Sequence, residues 1–310
     1  MKKILVLASA NRDLILEMDH MPAPGETFRA ERYGHAAGGK GSNAAVALAR
    51  QGAKITISTC LGNDDNGKSL FETYEKEGMD TRAVHFTDDA QTGFALCTVE
   101  RDGNSRIIVV AGANEHIRFS DIPAEILEED FDAMMTQFEV PFDAVKDACA
   151  WAAKKKIPVI IDAGPALPLP LEELEGVTIF SPNETECEIF TGISPSTPEN
   201  CLRASLELLK RVDAKYIVLK LGGRGCFVCD GKYYYCVPSY DTTVVDTTAA
   251  GDAFTAGLVL HYLQNGSIVQ AAQYGNVVGA ITVSRAGAST SIPSEAEVAK
   301  FIERNDISFE

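Results

Sequence analysis

The chain has no apolar run approaching the roughly 18–20 residues that a membrane span needs. It is also poor in basic charge. Its 28 Lys and Arg residues stand against 44 Asp and Glu, for a formal net charge of -16 and a pI near 4.8. No Lys/Arg cluster offsets that balance, so nucleic acid and anionic membranes are excluded as partners. A protein this acidic that handles a phosphorylated ligand must concentrate hydrogen-bond donors locally. Paired metal-binding motifs are missing too. Cys226-x-x-Cys229 resembles half a zinc site, but no second pair or nearby His completes it. In a strand, moreover, positions i and i+3 face opposite ways. The eight cysteines are scattered, and a chain of 310 residues needs no covalent staples, so reduced thiols in a cytoplasm are expected. MKKILVLASANRD imitates a signal peptide, yet its apolar run is too short for an h-region and charges follow at once. It reads instead as a buried first strand from Ile4 to Leu7. Internal repeats, linkers and low-complexity segments are absent.

What is present is an alternation. Strand-like runs fall at 3–7, 54–60, 94–100, 106–110, 133–138, 157–161, 177–180, 215–220, 225–229 and 233–237. Helical patterns fall near 43–51, 66–77, 120–127, 142–155, 183–191, 198–211, 251–264, 267–280 and 294–304. From about residue 130 onward this predicts a mainly parallel sheet with helices on both faces. Asp230-Gly231 between two strand-like runs signals a hairpin. Two segments break the alternation. Residues 11–36 carry Pro22, Pro24 and Gly25, and residues 93–110 form a two-stranded unit around Arg101-Asp102-Gly103-Asn104. Both read as β-structure without a covering helix, suited to a lid over a site or to an ordinary edge hairpin. His35, His85, His116 and His261 have no nameable partner and read as structural or surface residues.

Two glycine segments precede helices. In HAAGGKGSNAAVALARQGA (residues 35–53), Lys40 is followed by Gly41 rather than Ser or Thr, so this is not a P-loop. Nor does a GxGxxG fingerprint close a strand here. As structure, Gly38, Gly39 and Gly41 make a tight turn. As function, they let a polyol lie against backbone, with Asn43 offering both a donor and an acceptor. The second segment, DTTAAGDAFTAGL (residues 246–258), sets Ala249-Ala250-Gly251 before a helix whose apolar positions recur at helical spacing. Small residues there expose backbone N–H groups at the positive end of a helix dipole. Asp252 has the wrong sign for an anion site. It reads either as a first-turn carboxylate that stabilises the helix or as a group that removes a proton during phosphoryl transfer.

Together these segments resemble the two signatures of the ribokinase-like (PfkB) carbohydrate kinase family. GGKGSNAAVALARQGA is similar to the first, and DTTAAGDAFTAGL to the second and more specific one. Asn11-Arg12-Asp13 with PAPGET, VAGAN at 110–114, TQFEVP at 136–141, IDAGPA at 161–166, SPNETE at 181–186, LGGRG at 221–225 and SRAGAS at 284–289 extend the resemblance over nearly the whole chain. It implies one Rossmann-like three-layer α/β/α domain over residues 1–310, with a small β-sheet lid from about 11–36 and 93–110. It also implies an ATP-dependent sugar kinase that pairs through its lid as a homodimer.

Carried over by position, Asp252 is the implied base, and Ala249, Ala250 and Gly251 the implied anion hole. Asn11, Asp13, Gly39, Lys40, Asn43 and Glu139 are implied sugar contacts. Asn183 and Glu186 match the motif that organises phosphate and magnesium. Lys220, Gly222, Gly223, Gly225, Gly251 and Asn276 fall where the nucleotide lies. Asp246, Thr248, Thr282, Arg285, Gly287 and Ser291 fall at a monovalent-cation site, mostly potassium in this family, where several contacts are backbone carbonyls. PAPGET, Asn11, Asp13 and Glu139 favour a free pentose, D-ribose, over fructose, a nucleoside or pseudouridine. A deoxyribose kinase and a non-catalytic sugar or nucleotide sensor are the alternatives. Ala8, Arg12 and Lys220 depart from the pattern, where Gly, a small residue and Thr commonly stand. Arg12 points either to solvent or to a different or anionic substrate.

Overall fold

The computed structural model describes residues 1–101 and 105–309. The turn expected at Asp102-Gly103-Asn104 lies outside them.

The chain opens with β1 (Lys3–Leu7), β2 (Asn11–Met18) and β3 (Arg32–Gly38), followed by α1 (Lys40–Arg50), β4 (Lys54–Gly62) and α2 (Asp65–Lys76). Next come β5 (Asp80–Thr87), β6 (Gly93–Glu100), β7 (Ser105–Val110), α3 (Ala124–Leu127) and β8 (Ala133–Gln137). They are followed by α4 (Phe142–Lys155), β9 (Val159–Asp162), β10 (Val177–Ser181), α5 (Glu184–Thr191), α6 (Pro198–Arg211) and β11 (Ala214–Lys220). The rest is β12 (Cys226–Cys229), β13 (Tyr234–Val237), α7 (Ala250–Asn265), α8 (Ile268–Val283) and α9 (Glu295–Arg304).

Two sheets result. The larger has the order β13-β12-β11-β10-β9-β8-β1-β4-β5. Its strands from β11 to β5 run parallel, and β12 and β13 return antiparallel as the hairpin expected at Asp230-Gly231. The parallel strands are apolar on both faces because both faces are covered. In β1, Ile4 and Val6 join a core with α1, α7 and α8, while Leu5 and Leu7 join a second core with α4, α5 and α6. The smaller sheet, β3-β2-β6-β7, pairs β2 with β6 in parallel and is otherwise antiparallel. Its strands account for both segments that broke the alternation.

Apart from shifts of two or three residues at the ends of α1, β4 and α8, the sequence reading and the structure differ in three places. The helical pattern at 120–127 is split by Pro123 into a 3-10 turn at Phe119–Asp121 and the single turn α3, because proline cannot supply the backbone N–H that a continuous helix needs. Strand β5, DTRAVHFT, has no clean alternation and was not expected. It is the sheet edge and buries only Ala83. Pro158 delays β9 to Val159.

Gly225 ends the turn between β11 and β12 with φ of 85° and ψ of -124°. A Cβ there would stand 2.1 Å from the Val237 carbonyl oxygen and 2.5 Å from the Ser239 nitrogen. Gly225→Ala should therefore destabilise the protein by about 3 kcal/mol or more, through backbone strain and displacement of β13. A urea unfolding midpoint unchanged from wild type would contradict this.

Candidate functional site

The C-terminal ends of the parallel strands and the N-termini of α1 and α7 open onto one cleft of about 830 Å³, roofed by the smaller sheet. In open α/β sheets this strand end is where ligands bind. Asn11, Asp13, Gly39, Lys40, Asn43 and Glu139 line one end of the cleft. Asn183, Lys220, Gly222, Gly223, Gly225 and Asn276 line the other. Ala249, Ala250, Gly251 and Asp252 stand in its wall as well.

Strand β2 leaves the core through Ser9 and Ala10 and carries Asn11 and Asp13 on its cleft face. Asn11 Oδ1 accepts from Asn114 Nδ2 at 2.8 Å, and Asn114 Oδ1 accepts from the Ala10 N–H at 2.8 Å. Asn114 is thus a buried strut beneath the site, inside the VAGAN stretch but not singled out by sequence. Asp13 is only 7% exposed, and its Oδ1 has no hydrogen-bond partner. Burial pushes its carboxyl up to about 7, helped by Glu139 and Asp252 and opposed by Arg12. Gly38 leaves room for that carboxylate, since a Cβ there would stand 2.1 Å from Asp13 Oδ2. Strand alternation turns Arg12 to the opposite face of the sheet from Asp13. There its register partners are Ala37 and Phe94. Arg12 therefore does not reach into its own cleft, and of the two readings the one away from the substrate fits.

Glu139 Oε2 accepts from Ser9 Oγ at 2.7 Å and from the Lys40 N–H at 2.9 Å, so an anion caps the first turn of α1. From the same turn Asn43 Nδ2 donates to Asp252 Oδ2 at 2.9 Å, while Asn43 Oδ1 is buried without a partner. Lys40 Nζ lies 3.8 Å from Asp162 Oδ1, 3.9 Å from Glu186 Oε1 and 3.9 Å from Asp252 Oδ1. Burial alone would lower its pKa, but Asp162, Asp252, Glu186 and Glu139 together raise it well above the ordinary lysine value.

Helix α7 is capped by Ala249, which adopts the left-handed conformation (φ 60°, ψ 4°) unusual for a residue with a Cβ. The Ala250 N–H reaches the Thr247 carbonyl at 3.3 Å. Among the described residues the Gly251 and Asp252 N–H groups have no acceptor, leaving two first-turn donors free beside the Asp252 carboxylate. Asp252 is 6% exposed. Burial raises its carboxyl to about 6; Lys40 pulls it down, Asp162 pushes it up, and Asn43 and Lys220 pull it down.

On the other side, Asn183 and Glu186 form a reciprocal capping box at the start of α5, with both bonds at 2.8 Å. The local role that Ser181-Pro182 suggests is thus real, and Glu186 Oε1 still faces Lys40. Asn276 Nδ2 donates to the Val237 and Pro238 carbonyls at 3.2 and 2.9 Å, fixing the wall after β13. Lys220 Nζ pairs with Asp162 Oδ2 at 2.5 Å, and Thr255 Oγ1 donates to the same oxygen at 3.1 Å. Sequence reasoning missed Asp162, although it ends a buried parallel strand within IDAGPA. Position at a strand's C-terminal end was the available signal.

Of the six residues of the implied cation site, Asp246 and Thr248 precede α7, Thr282 ends α8, and Arg285, Gly287 and Ser291 follow it. Asp246 Oδ1 accepts from the Thr248 N–H and hydroxyl at 2.9 and 2.7 Å, and Asp246 Oδ2 accepts from the Gly287 N–H at 2.9 Å. Burial would raise its carboxyl, but these bonds hold it below the ordinary range. The Thr282 and Ser291 hydroxyls donate to the Val278 and Ala288 carbonyls at 2.8 Å each, which leaves their lone pairs open. The Arg285 side chain turns away to Glu297 at 2.8 Å.

Comparison with known proteins follows the same outline. The model of the pfkB family carbohydrate kinases matches residues 1–295. The chain belongs to this family. It is 33% identical to a ribokinase of Haemophilus influenzae over 97% of this chain and 99% of that one. It is 30% identical to a deoxyribokinase of Salmonella typhi over 98% of this chain and 99% of that one. The structure of Arabidopsis thaliana ribokinase complexed with ribose and ATP superposes with a TM-score of 0.88 at 29% identity, over 97% and 98% of the two chains. The family accounts for the fold, and this pfkB kinase has no helix among its described residues long and apolar enough to cross a membrane.

Proposed function

We propose that the protein phosphorylates the primary hydroxyl, O5, of D-ribose with ATP, giving D-ribose 5-phosphate and ADP. The observation that carries the reading is the placement of Asp252. Its carboxylate and the two free N–H groups beside it stand in one cleft, between a polar pocket and a lysine- and glycine-lined groove. Asn11, Asp13, Gly39, Lys40, Asn43 and Glu139 supply the neutral and charged hydrogen bonds a polyol needs. Asp252 accepts the proton of the attacking hydroxyl. That oxygen forms a bond to the γ-phosphorus as the bond to the β-phosphate bridging oxygen breaks, and ADP leaves. The Gly251 and Asp252 N–H groups, with the Ala249–Ala250 turn, meet the charge that builds on the phosphoryl oxygens. Asn183, Lys220, Gly222, Gly223, Gly225 and Asn276 hold the nucleotide. The smaller sheet acts as a lid that excludes water as a competing acceptor.

Magnesium fits this site through water, because Glu186 Oε1 remains open beside Lys40; bound there with ATP it would neutralise phosphate charge. The Asp246 carboxylate is anionic and has no Lys or Arg partner among the described residues, as a potassium ion would require. Eight free thiols suit a reducing, cytoplasmic setting.

A coupled ADP-release assay tests the reading, with Mg-ATP and D-ribose, 2-deoxyribose, D-fructose, D-tagatose, adenosine or pseudouridine, each with potassium or an inert cation. Turnover should be highest on ribose and stimulated by potassium. Preference for 2-deoxyribose would move the chain to its deoxyribokinase relatives, and no turnover at all would favour a sensor.

The lid also supports the homodimer. On β7, Ile107 and Val109 face the cleft, while Ile108 and Val110 face away and are 55% and 58% exposed. With Leu14 and Leu96 in register beside Ile108, they make an apolar surface that a second copy would cover. Ile108→Asp should convert a dimer to a monomer in analytical ultracentrifugation. A wild-type chain that sediments as a monomer would rule the dimer out.

A further inference from the structure

Three carboxylates and two ammonium groups meet on the floor of the cleft, and the phosphoryl-transfer scheme uses only some of them. Asp162, at the end of β9, is 2% exposed. Its Oδ2 is engaged by Lys220 and Thr255 at 2.5 and 3.1 Å. Its Oδ1 is buried without a hydrogen-bond partner and lies 3.8 Å from Lys40 Nζ. Lys40 is 3.9 Å from both Glu186 and Asp252, so it stands beyond direct hydrogen-bonding distance of all three carboxylates. A flexible ammonium facing a single carboxylate would close on it. Here opposing carboxylates hold it between them.

We propose that Asp162 is a positioning residue whose free oxygen keeps the Lys40 ammonium off the catalytic carboxylate and leaves it available to the transferring phosphoryl group. The proposal rests on the reading of Asp252 as the base. Without the Asp162 charge, Lys40 closes on Asp252, holds it as a paired anion and makes it a poorer proton acceptor. The charged groups facing Asp252 are Lys40 from α1, Asp162 from β9, Lys220 from β11 and Asp13 from β2.

The test is made in a Lys220→Met background, because Asp162→Asn alone would leave Lys220 buried and unpaired. Adding Asp162→Asn to Lys220→Met should lower kcat a further 10- to 100-fold, roughly the cost of misplacing a reacting group by an ångström. The affinity for adenylyl imidodiphosphate should change by less than about threefold, because the loss falls on the transition state and on the sugar contact of Lys40 rather than on nucleotide binding. In the nucleotide-free protein, carboxylate-detected NMR should show Asp252 titrating at lower pH once Asp162 is neutral, and by more with Lys40 present than in Lys40→Met, where only the direct loss of the Asp162 charge remains. If the added substitution leaves kcat unchanged and the titration shift is the same with and without Lys40, Asp162 does not position Lys40 and the proposal fails. The titration needs no turnover, so it decides the proposal even where the wild type phosphorylates no sugar, a result that would overturn the kinase reading instead. Should Lys220→Met not fold, Lys220→Gln takes its place as the background for the same measurements.

Discussion

Asp252→Asn is expected to lower kcat by a factor of roughly 10²–10⁴, the usual worth of a positioned general base, while the protein stays folded. The asparagine keeps the shape of the side chain and an acceptor for Asn43 Nδ2, so the link between α1 and α7 survives. What it loses is the lone pair that takes the hydroxyl proton. The wild type should show the same chemistry in its pH profile. Burial raises the Asp252 carboxyl to about 6, so it is protonated below that pH and cannot accept. kcat/KM should therefore begin to fall below about pH 7 as Asp13 protonates, with a further limb of about tenfold per pH unit below about pH 6 as Asp252 does. The variant should lose that limb. Stopped assays across pH 4.5–8.5, with a thermal midpoint for each protein, are sufficient. A variant retaining more than about a tenth of the wild-type rate would remove Asp252 from the base role.

Asp13→Ala is expected to raise the KM for ribose by roughly 10² or more. A carboxylate hydrogen bond is worth about 1.5–3 kcal/mol, and a diol offers two donors. The KM for ATP should move little, because Asp13 sits at the polar-pocket end of the cleft. Asp13 also sets a pH dependence of stability. Its carboxyl is raised from 3.8 to about 7 by burial, so the folded state binds more protons than the unfolded state between those values. Stability from this group is complete below about pH 3.8 and lost as pH rises through about 7. In urea titrations of the sugar-free protein, wild type minus Asp13→Asn should fall from about pH 3.8 to about pH 7 and level off above it. A flat difference would mean that Asp13 is solvated in solution.

Much of this was legible in the sequence because its causes are local. The parallel strands were visible as short apolar runs, and α7 began within one residue of the Gly251 turn. The capping pair Asn183 and Glu186 could be read either as helix structure or as function, and the geometry shows the first without excluding the second. What escaped depends on distant partners. Nothing local marks Asn114 as a strut under Asn11, 103 residues away, or Asp162 as the counter-ion of Lys220, 58 residues away. Strand β5 lacked a pattern because an edge strand has few burial constraints. Arg12 could not be placed until its strand was known, because a single step along β2 exchanges the two faces of the sheet.

The small sheet has an evolutionary consequence. Asn11 and Asp13 belong to one hydrogen-bonded sheet, while Asp252 and the free amides beside it belong to a helix packed on another. A lineage can therefore change which acceptor it recognises by drifting in β2, β3, β6 and β7, and inherit the catalytic turn unaltered. Selection for a new sugar would meet little resistance from the core, so relatives acting on different substrates should differ mostly in the roof and agree in the floor.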